Sequence, residues 1–261
     1  MAAAQSPLTQ GEMVAGLRRL GVEQGDLLEV HSSLRRLGPI EGGAATVIRA
    51  LQAAVGPTGA LVMPAYPVGP GQTPSPAEQA RGMTWKVRIL PFSDHLTPTG
   101  MGVIADVFRD WPGVRRETGA FFSYAAWGRD ADLFAREGLA PLVARGAKAL
   151  LLGVEMDRCS ALHLAEERVA LPTELAALLT PPDELMHDYP DHLWGIGYGP
   201  EANFLLAQSV AEAQSLIHVE RIGHAVARLF EAQALVAIHE HLLLTQPYAV
   251  YGLPEPPRAC E

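Results

Sequence analysis

A strand, helix, strand succession near the start of the chain constrains its fold more than any other feature. Residues 27–30 read as a short strand introduced by Gly25-Asp26. Residues 42–55 read as a helix closed by Gly56-Pro57, and 60–63 as a second strand. Two strands joined through a helix of that length run parallel, because the long crossover carries the chain back to the edge where the first strand began. An amphipathic helix over 9–20 precedes this unit, with Thr9 and Glu12 spaced as a capping box and Gly21 as its stop. Further on, 102–111 and 131–137 read as helices and 122–127 as a strand. Leu150, Leu151, Leu152 and Val154 read as a strand covered on both faces. The alternation predicts one α/β domain over 1–261. Its stretch at about 64–98, rich in Pro, Gly and Ser, is too long for an ordinary connection and reads as a functional loop or lid. Towards the end, 203–216 and 223–229 read as helical, and 234–244 carries two histidines at strand spacing.

Composition narrows the class. With 20 Lys and Arg against 29 Asp and Glu, the formal net charge of −9 argues against a general nucleic-acid binder and favours cationic or neutral partners. The two cysteines, Cys159 and Cys260, lie far apart, so neither a disulfide framework nor a cysteine metal site is expected. The chain shows neither a secretion signal nor an apolar run long enough to span a membrane, and a cytoplasmic setting is the expectation.

Chemistry concentrates in two places. The strand at Leu150 breaks at Gly153 and gives way to a helix over 159–167, with Ser160 as its N-cap and with His163 and Glu166 three apart on one helical face. Histidine titrates closest to neutrality, so a strand-end histidine beside a carboxylate is a candidate general base; the competing reading is a packed histidine beside a solvated Glu166. His31, Ser32 and Ser33 follow the first strand, at the carboxyl end where open α/β sheets bind ligands. There backbone amides can hold a phosphate, an amide or an oxyanion; the competing reading is a serine-rich turn without a ligand. Neither nucleotide-binding glycine fingerprint occurs in a strand-to-helix context.

Seven phrases, in the same order over nearly the whole length, resemble the aminoglycoside 3-N-acetyltransferases, the antibiotic acetyltransferase family. They are LRRLGVEQGDLLEVHSSLRRLG, GALVMPAY, TPTGMGVIADVFRDWPGVRR, SYAAWG, ALLLGVEMDRCSALHLAEE, the DYPDH segment and GHAVARL. The resemblance implies an open α/β/α sandwich with a central, mostly parallel sheet, unlike the smaller acetyltransferase fold. It also implies acetyl-CoA as co-substrate, no metal, and an aminoglycoside as acceptor. His31, Ser32, Ser33 and Leu34 fall on the segment that lines the acetyl-CoA channel, with His31 also a candidate in catalysis. His163 falls on the histidine that deprotonates the acceptor amine and Glu166 on its acidic companion. Asp188 and Asp191 fall on the acidic segment that, with Glu166, meets the cationic substrate, or that supports the histidine. Which carboxylate touches the histidine, and whether the chain forms a homodimer, stay open.

The chain departs from the family pattern twice: Gly119-Ala120 replaces a His-Pro pair, and a family phrase rich in Ser and Pro shrinks to Leu139-Ala140-Pro141-Leu142. Both bear on substrate choice and leave His31 and His163 in place. The expected reaction is direct acetyl transfer to the 3-amino group within a ternary complex, a resistance activity. The alternatives are a relative acetylating a different amine and a non-catalytic CoA-binding α/β protein. A covalent route through Cys159 or Ser160 lacks the nucleophile elbow. Asp94 is a weaker candidate for the acidic cleft. Arg115 and Arg116 read as CoA-phosphate partners or plain surface arginines. His239 and His241 lack the third ligand a zinc site needs. His224 reads as packing or capping a helix, and the four tryptophans as core or cleft walls.

Overall fold

The first helix follows its local signals. In α1 (Gln10–Leu20) the Thr9 hydroxyl accepts from the Glu12 amide and the Glu12 carboxylate accepts from the Thr9 amide. Gly21 closes the helix at φ +108°, a conformation a residue with a Cβ adopts only under strain. The computed structural model describes residues 6–91, 97–117 and 121–256. After α1 the chain runs through β1 (Leu27–Ser32), a single turn α2 (Leu34–Leu37), α3 (Gly43–Val55) and β2 (Ala60–Pro64). It leaves the sheet through α4 (Pro76–Ala80) and β3 (Met83–Arg88). It returns with α5 (Val103–Arg109), β4 (Arg115–Arg116), β5 (Tyr124–Gly128), α6 (Ala131–Glu137), α7 (Leu139–Ala144) and β6 (Lys148–Leu152). Two 3₁₀ turns, Met156–Arg158 and Ser160–Leu162, lead into α8 (His163–Arg168), α9 (Thr173–Leu179), α10 (Asp183–Asp188) and β7 (Trp194–Tyr198). The described chain closes with α11 (Phe204–Ala213), β8 (His218–Ile222), β9 (Ala225–Glu231), α12 (Ala232–Thr245) and α13 (Pro247–Val250).

Seven strands form one sheet in the order β4-β5-β2-β1-β6-β9-β8. Parallel pairing is confined to the central trio β2-β1-β6, and the flanking pairs are antiparallel. Successive side chains of the trio face opposite cores. Leu27, Ala60, Val62, Ala149 and Leu151 meet α6, α7, α8, α11 and α12, while Leu28, Val30, Leu61, Met63, Leu150 and Leu152 meet α1, α3 and α5. This is the open α/β/α sandwich expected from the resemblance, but its sheet is not mostly parallel: only the two pairs of the central trio are, and four of the six are antiparallel because β5, β9 and β8 run against their neighbours. β3 pairs antiparallel with β7 in a separate two-stranded sheet, so the Pro-rich stretch after β2 contains both a helix and a strand.

Three local readings are corrected. The segment at 223–229 is β9, not a helix: Gly223, at φ +58°, turns a two-residue hairpin, and Ala225, Ala227 and Leu229 alternate inward between β8 and β6. Residues 234–244 lie in helix α12, whose 3.6 period buries His239 and leaves His241 exposed, so the two do not share a side. Ser160 is not a helix N-cap: it opens a 3₁₀ turn, and α8 starts at His163.

Candidate active site

At the carboxyl end of the parallel trio, β1 delivers Glu29 and His31 to one face of the sheet, since they are two residues apart on a strand. Glu29 is 0% exposed and His31 8%. Above them passes the turn between β6 and α8. The Ala161 amide donates to Glu29 Oε1 at 3.0 Å. The Ser160 amide lies 3.2 Å from His31 Nε2, itself 2.8 Å from Glu29 Oε1. The next turn presents His163, with 55% of its side chain exposed. Its Nδ1 is 2.5 Å from Glu166 Oε2, and the other Glu166 oxygen accepts from the Tyr251 hydroxyl at 3.1 Å. Burial first, then the Glu166 charge, raises the Tyr251 hydroxyl, so it stays a donor. With Nδ1 held against a carboxylate, Nε2 is the nitrogen left to take a proton.

His163 and Glu166 stand between two clefts and line both. One, of 510 Å³, also has Glu117, Glu137, Glu167 and Arg136 on its wall. The other, of 450 Å³, has Asp157, Glu201 and the β3–β7 residues Trp85 and Tyr198. The first cleft adjoins a third, of 260 Å³, through Ser160, where His31, Ser32 and Arg158 sit. Arg158 and Val154 lead on to a fourth, of 380 Å³, with Ser33, Arg36 and His224. Carboxylates dominate around the histidine, and arginines appear at the strand ends. Inside the first cleft the Tyr66 hydroxyl sits 3.2 Å from Ser160 Oγ and 3.3 Å from the Tyr124 hydroxyl. Burial raises both phenols, which stay protonated.

The structure brings His163 and Glu166 into direct contact and sets His31, Ser32 and Ser33 along the adjoining clefts. Leu34 lines none of these four clefts and packs against the α1–α3 core. Asp188 pairs with Arg81 at 3.1 Å, and Asp191 is 91% exposed; neither lines the two clefts flanking His163. Cys159 is buried, and burial, then the Glu29 charge, pushes its thiol up, which leaves no thiolate for a covalent route. Arg115 pairs with Asp132, and Arg116 donates to the Ala65 carbonyl. His224 faces the fourth cleft from the β8–β9 turn. Asp94, Gly119, Ala120 and Cys260 lie outside the described residues. Among the described residues no three His, Cys, Asp or Glu side chains gather as a metal site, and no helix is long and apolar enough to cross a membrane. Sequence reasoning missed Glu29, Tyr66, Glu117, Asp157, Arg158 and Glu201. Only Glu29 carried a local signal, a lone charge inside an otherwise apolar strand.

Residues 30–244 match the family model described as aminoglycoside 3-N-acetyltransferase. Aminoglycoside N(3)-acetyltransferase IV of Salmonella sp is 32% identical over 244 residues, 87% of this chain and 84% of its own. The prophage-derived aminoglycoside N(3')-acetyltransferase-like protein YokD of Bacillus subtilis is 33% identical over 185 residues, 62% of this chain. That match spans 66% of the Bacillus protein, slightly under two thirds of its length. Among solved structures, a histidine-to-alanine mutant of aminoglycoside acetyltransferase AAC(3)-IVa in complex with gentamicin superposes with a TM-score of 0.73. The two are 27% identical, and the superposition covers 97% of this chain and 94% of that one.

Proposed function

The chain belongs to the aminoglycoside 3-N-acetyltransferase family, and from that premise we propose that it moves an acetyl group from acetyl-CoA to the 3-amino group of an aminoglycoside. The observation that carries this reading is the place of His163 and Glu166, shared by two carboxylate-lined clefts that suit a polycation. The arginines and serines of the adjoining clefts suit the anionic phosphates and the pantetheine arm of CoA. His31, Ser32 and Ser33 contact the cofactor there, and Leu34 supports that turn from the core side. Asp188 and Asp191, outside these clefts, add to the acidic field that draws the antibiotic in. A single domain carries all four clefts, and the β3–β7 sheet closes over the second as its lid. The complex of AAC(3)-IVa with gentamicin supports the choice of acceptor.

An ammonium group has no free lone pair. His163 Nε2 takes its proton, with the imidazolium held by Glu166, and the freed nitrogen pair attacks the thioester carbonyl. The C–N bond forms, the C–S bond breaks, the CoA sulfur leaves with the electron pair, and the second amine proton goes to that sulfur, which leaves a neutral amide and free CoA thiol. Ser160 lines the boundary between the cofactor and acceptor clefts, where the acyl group passes. The enzyme works as a cytoplasmic protein, where its thioester co-substrate is found. The test is release of CoA thiol from acetyl-CoA with gentamicin, apramycin or no amine. Antibiotic-dependent release that falls by about 10²- to 10⁴-fold in His163→Ala is the expected result. Acetyl-CoA binding with no release for any aminoglycoside would turn the search to other amines.

A further inference from the structure

Glu29 interrupts an apolar strand, LLEVHS, and is closed off from solvent, yet it lines none of the four clefts. A leucine there would fill the strand without the desolvation cost of a buried carboxyl group. What the carboxyl group does is hold the turn that leads to His163. Ser160 and Ala161 open the 3₁₀ turn, and their amides have no earlier carbonyl of that turn to bond. They face His31 Nε2 and Glu29 Oε1 at 3.2 and 3.0 Å, and those two atoms lie 2.8 Å apart. Cys159 Sγ approaches the other oxygen at 3.9 Å. The Glu29 carboxyl group therefore ties β1 to residues 159 and 161, and the His31 ring beside it meets Ser160 between them, directly before His163.

We infer that Glu29 is a positioning residue for the transfer: through the Ala161 amide and the His31 ring it sets the turn that presents Ser160 and His163 where the clefts meet. The inference rests on the acetyl-transfer reading above. Glu29 touches no substrate and is not itself catalytic. Its loss displaces His163 without emptying either acceptor cleft, so the rate suffers more than acceptor binding.

The experiment compares Glu29→Leu and Glu29→Gln with the parent, all carrying Cys260→Ser so that a thiol reagent reports Cys159 alone. Glu29→Leu removes the acceptor and fits an apolar strand. It is expected to melt at or above the parent temperature, to lose about 10- to 100-fold in kcat, and to hold its gentamicin KM within about twofold. Its Cys159 labels faster because the turn is released. Glu29→Gln keeps an oxygen for the Ala161 amide, and its rate stays within about fivefold of the parent. A leucine variant with the parent's kcat overturns the inference, since the role is then only structural. A glutamine variant as slow as the leucine one overturns it too. If Glu29→Leu does not fold, Glu29→Gln decides: rate and Cys159 protection retained together support the inference, and the loss of either overturns it. If the parent releases no CoA with any aminoglycoside, the functional reading fails. Cys159 labelling then still reports whether Glu29 holds the turn.

Discussion

Glu166 engages both of its oxygens, one by His163 Nδ1 and one by the Tyr251 hydroxyl, so the imidazole is held in one orientation with Nε2 turned free. Glu166→Gln places an amide opposite Nδ1, where its NH₂ favours the wrong tautomer and its oxygen cannot balance an imidazolium. The expected result is a kcat loss of about 10²- to 10⁴-fold at an unchanged fold, measured as gentamicin-dependent CoA release; an unaltered kcat would remove Glu166 from the mechanism. This pair was legible from the chain because i and i+3 on a helix are neighbours whatever the rest of the fold does. Glu29 was not. Its amide partner is 132 positions away, and only the parallel register of β1 against β6 brings the two together.

Between α11 and α12 a row of three rings runs inward from the site. His163 meets the edge of Phe204 with centroids 5.0 Å apart, and Phe204 meets His239 at the same spacing. His239 is fully buried, neither of its ring nitrogens has a hydrogen-bond partner, and burial lowers its pKa. A histidine depressed in the folded state binds fewer protons there than when unfolded. Its stability contribution is therefore intact above the unfolded value of 6.5 and is lost progressively as pH falls below it. His239→Leu removes two unpaired buried nitrogens. It is expected to stabilise the protein by about 1–3 kcal/mol and to flatten the fall in melting temperature between pH 7.5 and pH 5. A variant with the parent's pH slope would show that other groups carry the dependence. Of the two helices only α12 was misread, and for a definable reason: the two-residue spacing of His239 and His241 suggests a strand, but Leu235, Val236, His239, Leu242 and Leu243 follow a helical stripe. The opposite error at β9 has the same root, since pairing with β6 and β8 outweighs local helix preference.

Over the whole molecule the charge is sorted as well as unbalanced. Carboxylates outnumber arginines around His163, where Glu117, Glu137, Glu167, Asp157 and Glu201 stand against Arg136, paired with Glu137, while Arg36 and Arg158, the latter paired with Asp157, stand towards the strand ends. A cleft of one sign concentrates a polycation, and added salt shortens the reach of that field from about 10 Å at 0.1 M to about 3 Å at 1 M. Raising ionic strength tenfold is therefore expected to increase the gentamicin KM by on the order of tenfold. The KM of an amine with a single charge should change far less. Equal salt responses for the two amines would show that these carboxylates do not steer the acceptor. The sorting is invisible in composition, because Glu117 and Glu201 reach the two clefts on either side of Glu166 only after the main sheet and the β3–β7 pair have formed.

The chain by itself determined what depends on near neighbours: the capped first helix, the crossover that makes β1 and β2 parallel, the family phrases, and the His163–Glu166 pair. Each of these is set by one helical turn, one strand's alternation or one loop. Tertiary structure decided what depends on distant segments meeting: the antiparallel flanks of the sheet, the hairpin at β8–β9, the four adjoining clefts and the buried carboxyl group beneath the 159–161 turn. A partner more than a hundred residues away leaves no period in the sequence around it. Its place is chosen by strand order and register, which the packing of two cores against one sheet selects as a whole.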